Sequence, residues 1–188
     1  MNREGHPLER VKRPMAAGQS PDGLTFTPLR KKQLAAFYQL FLTFRPEPLF
    51  IDIYEPLPFP SLQRFVEFFS SNAHLWVAGP LAAPQAYFAL HDMQPEHDLA
   101  NLDFLFFDGY PAPGSAVAQS FWAFVQQCLT KHGLTRVQSF ALTASADKLQ
   151  LIESYGFRSE GVLREHFFYN GVLNDIAVHA WMTEERGE

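Results

Sequence analysis

Asn101-Leu-Asp-Phe-Leu-Phe-Phe107, followed by Tyr110-Pro-Ala-Pro-Gly-Ser-Ala116, decides how the rest of this chain is read. The first segment has the apolar and aromatic density of a buried strand. The second is a Pro/Gly turn. Beyond it, Val117, Phe121, Phe124 and Cys128 recur on one stripe of a long helix, and Gly133 stands where a glycine ends one. Arg136 to Leu142 then reads as a strand, which makes strand, helix and strand a β-α-β crossover with parallel strands. A strand that runs through a glycine turn into a helix N-terminus is a ready site for phosphate oxygens. The first-turn amides have no intrahelical partner there, and the helix dipole favours negative charge.

Working towards the C-terminus, a short helix ends at Tyr155-Gly-Phe157 and an Asn170-Gly171 hairpin closes the chain. A two-residue type I′ turn pairs Tyr169 with Val172, which sets His166 opposite Asp175 and Arg164 opposite Ala177. On that register Leu163, Phe167, Tyr169, Val172, Ile176 and Val178 turn towards the core.

Working towards the N-terminus, Gln85 to Leu90 and Leu75 to Ala78 read as strands joined by a Gly-Pro turn, with a polar excursion from Asp92 to Asp98 before the central strand. Leu62, Phe65, Val66 and Phe69 fall at i, i+3, i+4 and i+7, as do Leu34, Phe37, Tyr38 and Phe41, so two amphipathic helices precede the strands. Prolines at 46, 48, 56, 58 and 60 forbid a helix between them. Phe44, Phe50, Tyr54 and Phe59 lie in that connection, where they either cover the sheet or line an acceptor pocket. Leu24 to Thr27 alternates as a strand. Residues 1–23 read as a flexible leader, and 24–188 as a single domain. The class is α+β, an α/β/α arrangement of helices flanking a mixed, mostly antiparallel sheet.

Composition narrows the function. The 188 residues are 47% hydrophobic and include nineteen phenylalanines, which suggests an aromatic core, an aromatic-lined pocket, or both. A net charge of −5 argues against nucleic acid as a partner. The single cysteine, Cys128, excludes an internal disulfide and offers no metal-ligand spacing; it lies on a core stripe. No apolar run approaches the roughly 20 residues of a membrane span, so no membrane partner and a cytoplasmic location are expected.

The order of elements, with these motifs, resembles the GNAT superfamily of acyl-CoA-dependent N-acetyltransferases. The branch it looks most like acetylates ribosomal-protein N-termini and small amines. Gly114-Ser-Ala116 followed by Ala118 matches the second half of the family's pyrophosphate loop. Glu153-Ser-Tyr-Gly-Phe157 is similar to the helix that closes near the cofactor thiol, and Glu160-Gly161, Asn170-Gly171 and Asp175 resemble the branch's strand and hairpin. Four positions depart from the pattern. Pro111 stands where the loop carries Gln or Arg, Ser145 where the branch has Asn, and Lys148 where it has Ser. Ile152 stands where many members place a tyrosine that reprotonates the thiolate.

The resemblance implies acetyl-CoA as acyl donor and a primary amine, on a protein N-terminus or a small molecule, as acceptor, handled by a monomer or homodimer. It implies that Gly114, Ser115, Ala116, Val117 and Ala118 meet the pyrophosphate. It also implies that Phe106 and Phe107 present backbone groups to the pantetheine arm, and that Ser145 and Lys148 lie along the cofactor. If Pro113 fills the first helical position, the amides of Gly114, Ser115 and Ala116 are left free.

Asp103 is a candidate base, standing either at a rim or in a cleft. His97 is another within sequence reach, beside Glu96, Asp98 and His91, although residues 96–98 also read as a solvated loop. Tyr155 is either the thiolate's acid or a packed ring. The alternative function is a catalytically silent domain of the same fold that binds acyl-CoA or a protein partner. A weaker one is an unrelated α+β binding domain.

Overall fold

A computed structural model describes residues 18–19, 24–43, 61–71, 73–94 and 96–183. Among these residues, eight strands form one sheet in the order β1-β2-β3-β4-β5-β6-β8-β7. They are β1 (Gly18–Gln19), β2 (Thr25–Pro28), β3 (Ala73–Ala78), β4 (Ala86–Gln94), β5 (Leu99–Phe106), β6 (Arg136–Leu142), β7 (Arg158–Tyr169) and β8 (Val172–Met182). Every neighbouring pair is antiparallel except β5 and β6. The class and the single parallel crossover are those expected from the sequence. Gly18–Gln19 adds a two-residue edge strand inside what reads as leader, pairing with Thr25 and Phe26.

Alternation along the strands divides the core into two layers. On one face Trp76, Phe88, Leu102, Phe104 and Phe106 meet helix α3 (Ala116–His132) and helix α4 (Ala146–Ser154), through Phe121, Phe124, Leu151 and Ile152. On the other, Val77, Tyr87, Leu105, Phe140 and Ile176 meet Leu34, Phe37 and Tyr38 of helix α1 (Leu34–Thr43) and Phe65 and Phe69 of helix α2 (Leu62–Ser71). The aromatic excess therefore goes largely into packing. Phe26 stacks on Phe124 with ring centroids 5.0 Å apart, and Trp76 on Phe88 at 4.7 Å. The side chain of Phe41, the last of its stripe, and the connection carrying Phe44, Phe50, Tyr54 and Phe59 lie outside the described residues.

Helix α3 ends as its sequence dictates. Gly133 takes φ 67°, and the basic Lys131 and His132 sit in the last turn, where they complement the dipole. Cys128 is fully buried, and burial pushes its thiol up to about 12, so it behaves as an apolar filler.

The C-terminal hairpin corrects one expectation. Tyr169 does face Val172, but the register shifts between Leu163 and Phe167, so residues 164–166 share the single position opposite Asp175. Val162, and not Arg164, then lies opposite Ala177. Glu165 bulges at φ 48°, and its amide donates to Asp175 Oδ1 at 2.7 Å. That hydrogen bond gives the bulged backbone the partner its strand withholds. Leu163, Phe167, Tyr169, Ile176 and Val178 do pack on the α1/α2 side, whereas Val172 at the hairpin tip is 57% exposed.

Candidate active site

The parallel pair is short. Leu99, Ala100 and Asn101 match Arg136, Val137 and Gln138, after which the two strands run on without pairing. β4 still pairs with β5 as far as Phe106, and β8 with β6 along its whole length, so each strand is held from its outer side only. A bulge in β4 between His91 and Gln94 falls level with the last β5–β6 pair at Asn101, and such a bulge adds local twist.

Backbone direction alternates along a strand, so the hydrogen bonds that flank the gap reveal what faces it. The Phe107 amide donates to Gln85 O, which turns 103, 105 and 107 towards β4 and leaves Leu102, Phe104 and Phe106 facing β6. The Thr143 amide donates to Asp175 O, which leaves Phe140 and Leu142 facing β5. The cleft where the gap opens has a volume of about 380 Å³, with Leu105, Phe106, Tyr110, Ser145, Asp147 and Lys148 among its walls. Of the two backbone positions expected to serve a ligand, Phe106 faces the gap. The amide of Phe107 is spent on β4.

The glycine turn also differs from expectation. Helix α3 begins at Ala116 with Ser115 as its N-cap, and the Ser115 hydroxyl accepts the Ala118 amide at 3.3 Å. Pro113 is therefore not the first helical residue. The Ser115 amide is not free, since it donates to Ala112 O at 3.0 Å. The first-turn donors left without an intrahelical acceptor are those of Ala116 and Val117. Gly114, at φ 74°, makes the turn, and its carbonyl accepts the Gln119 side-chain amide at 2.9 Å. Ala118 is buried, and with its amide capped it anchors the turn from below.

Helix α4 opens on the other side of the cleft. The Ser145 amide donates to Leu142 O at 2.9 Å, which sets the helix N-terminus at the end of β6. Lys148, one turn on, is 2% exposed and lies over the Phe104 ring at 5.2 Å. Tyr155 lies at the far end of the helix. Its hydroxyl donates to Ala118 O at 3.0 Å and its ring stacks on Trp122 at 5.0 Å. Burial pushes its phenol upward. Tyr155 is a packed ring that ties α4 to the first turn of α3.

Asp103 is buried on the α1/α2 face, and the sequence alone did not reveal its partners. Its Oδ2 lies 3.0 Å from His91 Nε2, and the other ring nitrogen of His91 lies 2.9 Å from Asp92 Oδ2. Asn101 donates to the same Asp92 oxygen at 3.1 Å. Two successive residues of β4 reach one site because Asp92 takes φ 47° at the bulge. Burial alone would lower the His91 pKa, but the hydrogen bonds the ring donates to Asp103 and Asp92, with their negative charge, outweigh it and raise the ring to about 9. Asp92 is burdened by burial yet held below its ordinary value by His91 and Asn101. Asp103 Oδ1 is buried and has no hydrogen-bond partner among the described residues. His97, by contrast, is exposed in the turn before β5, at the opposite end of that strand from the cleft.

No family model and no curated protein matches the sequence. Solved structures do match. The RimL ribosomal L7/L12 alpha-N-protein acetyltransferase in complex with coenzyme A is 13% identical, with 90% of this chain and 99% of that one covered at TM-score 0.67. The ribosomal-protein-S5-alanine acetyltransferase from Vibrio fischeri is 10% identical, with 93% and 100% covered at TM-score 0.69. A mutant of the spermidine N-acetyltransferase SpeG from Vibrio cholerae is 18% identical, with 85% and 95% covered at TM-score 0.65. The fold of this chain is the one these N-acetyltransferases share.

Proposed function

We propose that the protein is an acetyl-CoA-dependent N-acetyltransferase acting on a primary amine. The observation that carries the reading is the gap between β5 and β6. Two strands held from their outer sides leave Leu102, Phe104, Phe106, Phe140 and Leu142 facing the gap without pairing across it, the Phe106 and Leu142 carbonyls being taken by the amides of Gly109 and Ser145 in the turns that follow. An extended arm with amide groups of its own fits between them as a strand would. At the mouth, the amides of Ala116 and Val117 and the dipole of α3 suit a pyrophosphate. Acetyl-CoA supplies an acyl group activated as a thioester.

On this reading Phe106 positions the acyl carbonyl through its amide, and Ser145 and Lys148 line the arm from the α4 side. Asp103, buried on the α1/α2 face, is the proposed acceptor of the amine proton; His91 fixes its Oδ2, and its Oδ1 has no partner among the described residues. His97 has no part. The related folds named above belong to transferases, which favours turnover over a silent binding domain. The acceptors they act on, a ribosomal-protein N-terminus and spermidine, are the first amines to try.

Calorimetry with acetyl-CoA, followed by thiol release across a panel of primary amines, tests the reading. Binding with amine-dependent release is expected. No binding at millimolar acetyl-CoA would overturn it.

A further inference from the structure

Lys148 is 2% exposed, yet among the described residues neither a carboxylate nor a hydrogen-bond acceptor meets its ammonium. What meets it is the face of Phe104, 5.2 Å away. The side chain is enclosed while its ammonium stays open to the cleft, a cation held at a wall without an anion, for which a ring face substitutes only in part. Lys148 is also the only cationic residue among the described walls of the cleft. An uncompensated cation in such a wall is suited to an anion that arrives or is formed there.

Resting on the N-acetyltransferase reading, two anions come into question, the cofactor's phosphates and its departing sulfur. Tyr155 fixes the C-terminal end of α4 against Ala118, in the first turn of α3 where the phosphates would lie. Lys148 is two helical turns away along α4, about 10 Å. It stands beside Phe104, whose backbone lines the gap. Further along α4, neither Ile152 nor Tyr155 offers a free proton: the one is a buried hydrocarbon, and the other's hydroxyl donates to Ala118 O.

The geometry points to Lys148 as the catalytic cation that holds the departing thiolate. The amine nitrogen forms a bond to the thioester carbon, the C–S bond breaks, and its electron pair leaves on sulfur. The amine proton goes to Asp103. The sulfur leaves paired with the Lys148 ammonium and takes its proton from solvent on release.

Reduced coenzyme A itself is the probe. The ultraviolet absorbance of its thiolate is titrated with pH on the intact protein, against desulfo-coenzyme A as the blank. With an ammonium within contact distance, the bound thiol should titrate about one unit or more below free coenzyme A. Lys148→Met should return it to the free value, and Lys148→Arg should keep it low. A bound thiol in the parent protein that titrates like free coenzyme A overturns the assignment, whether or not either variant folds, and leaves the N-acetyltransferase reading standing. A lowered thiol that stays low in Lys148→Met also overturns it. Failure of the parent protein to bind coenzyme A overturns that reading and this inference together.

Discussion

On its α3/α4 side, β5 buries Leu102, Phe104 and Phe106, all apolar and packed around Phe121. On its α1/α2 side the same strand buries Asn101 and Asp103 next to Leu105. The first side is a wall, closed by the kind of contact that any core provides. The second holds a charged cluster, Asp103–His91–Asp92, which burial penalises and hydrogen bonds sustain. β5 itself thus gives one face to apolar packing and the other to polar groups that packing alone would reject.

The largest effect that would sharpen this contrast is on turnover. Asp103→Asn keeps the size of the side chain and removes the proposed base, so amine-dependent thiol release should fall about 10²- to 10⁴-fold with acetyl-CoA affinity unchanged. Unchanged turnover would return the polar face to a purely structural role.

The same cluster makes stability depend on pH. The His91 pKa is raised in the folded protein from 6.5 to about 9. Its contribution is therefore complete below pH 6.5 and is lost as pH rises through 9. The shift corresponds to a loss on the order of 3 kcal/mol. Asp92 is shifted downward, so its contribution is present above its unfolded value and is lost as pH falls through its folded one. Thermal unfolding between pH 6 and 10 should show the alkaline decline, and His91→Gln should flatten it. A decline of the same size in His91→Gln would assign it elsewhere.

Sequence reading reached the two faces unequally. The apolar wall was legible because alternation along a strand and the i, i+3, i+4 spacing of a helix report burial directly. The crossover was legible from the strand, glycine turn, helix and Gly133 in series. The cluster was not, because its members come from separate strands and meet through a bulge. Asp92 at φ 47° breaks the alternation that would have sent it to the other face. The same holds for Glu165, whose bulge shifts the C-terminal register away from that of an uninterrupted hairpin. The start of α3 was open, with Pro113 one possibility, because several residues of a Pro-Gly turn are equally acceptable starts for a helix. Ser115 wins by capping Ala118. The signal that could have found His91 is its position on a strand otherwise apolar from Ala86 to Leu90, where a histidine needs a partner.

Two smaller effects test the wall. A Cβ at Gly114 meets nothing within 4 Å, so the cost of Gly114→Ala comes from its φ of +74°. That strain, about 1–2 kcal/mol, should distort the turn and weaken acetyl-CoA binding roughly tenfold in calorimetry, with the core intact. Unchanged affinity would remove the turn from the binding site. Tyr155→Phe loses one buried hydrogen bond and should lower stability by about 1 kcal/mol in denaturant unfolding, with turnover unchanged. A fall of a hundredfold in turnover would instead make Tyr155 the acid.

The central claim is that β5 and β6 part to receive the cofactor's arm, and a crystal structure with coenzyme A tests it most directly. The expected result is the arm lying between residues 102–106 and 140–142, its amides bonded to both strands, with the pyrophosphate on the Ala116 and Val117 amides. Coenzyme A bound elsewhere, with the two strands still parted and empty between them, would contradict it.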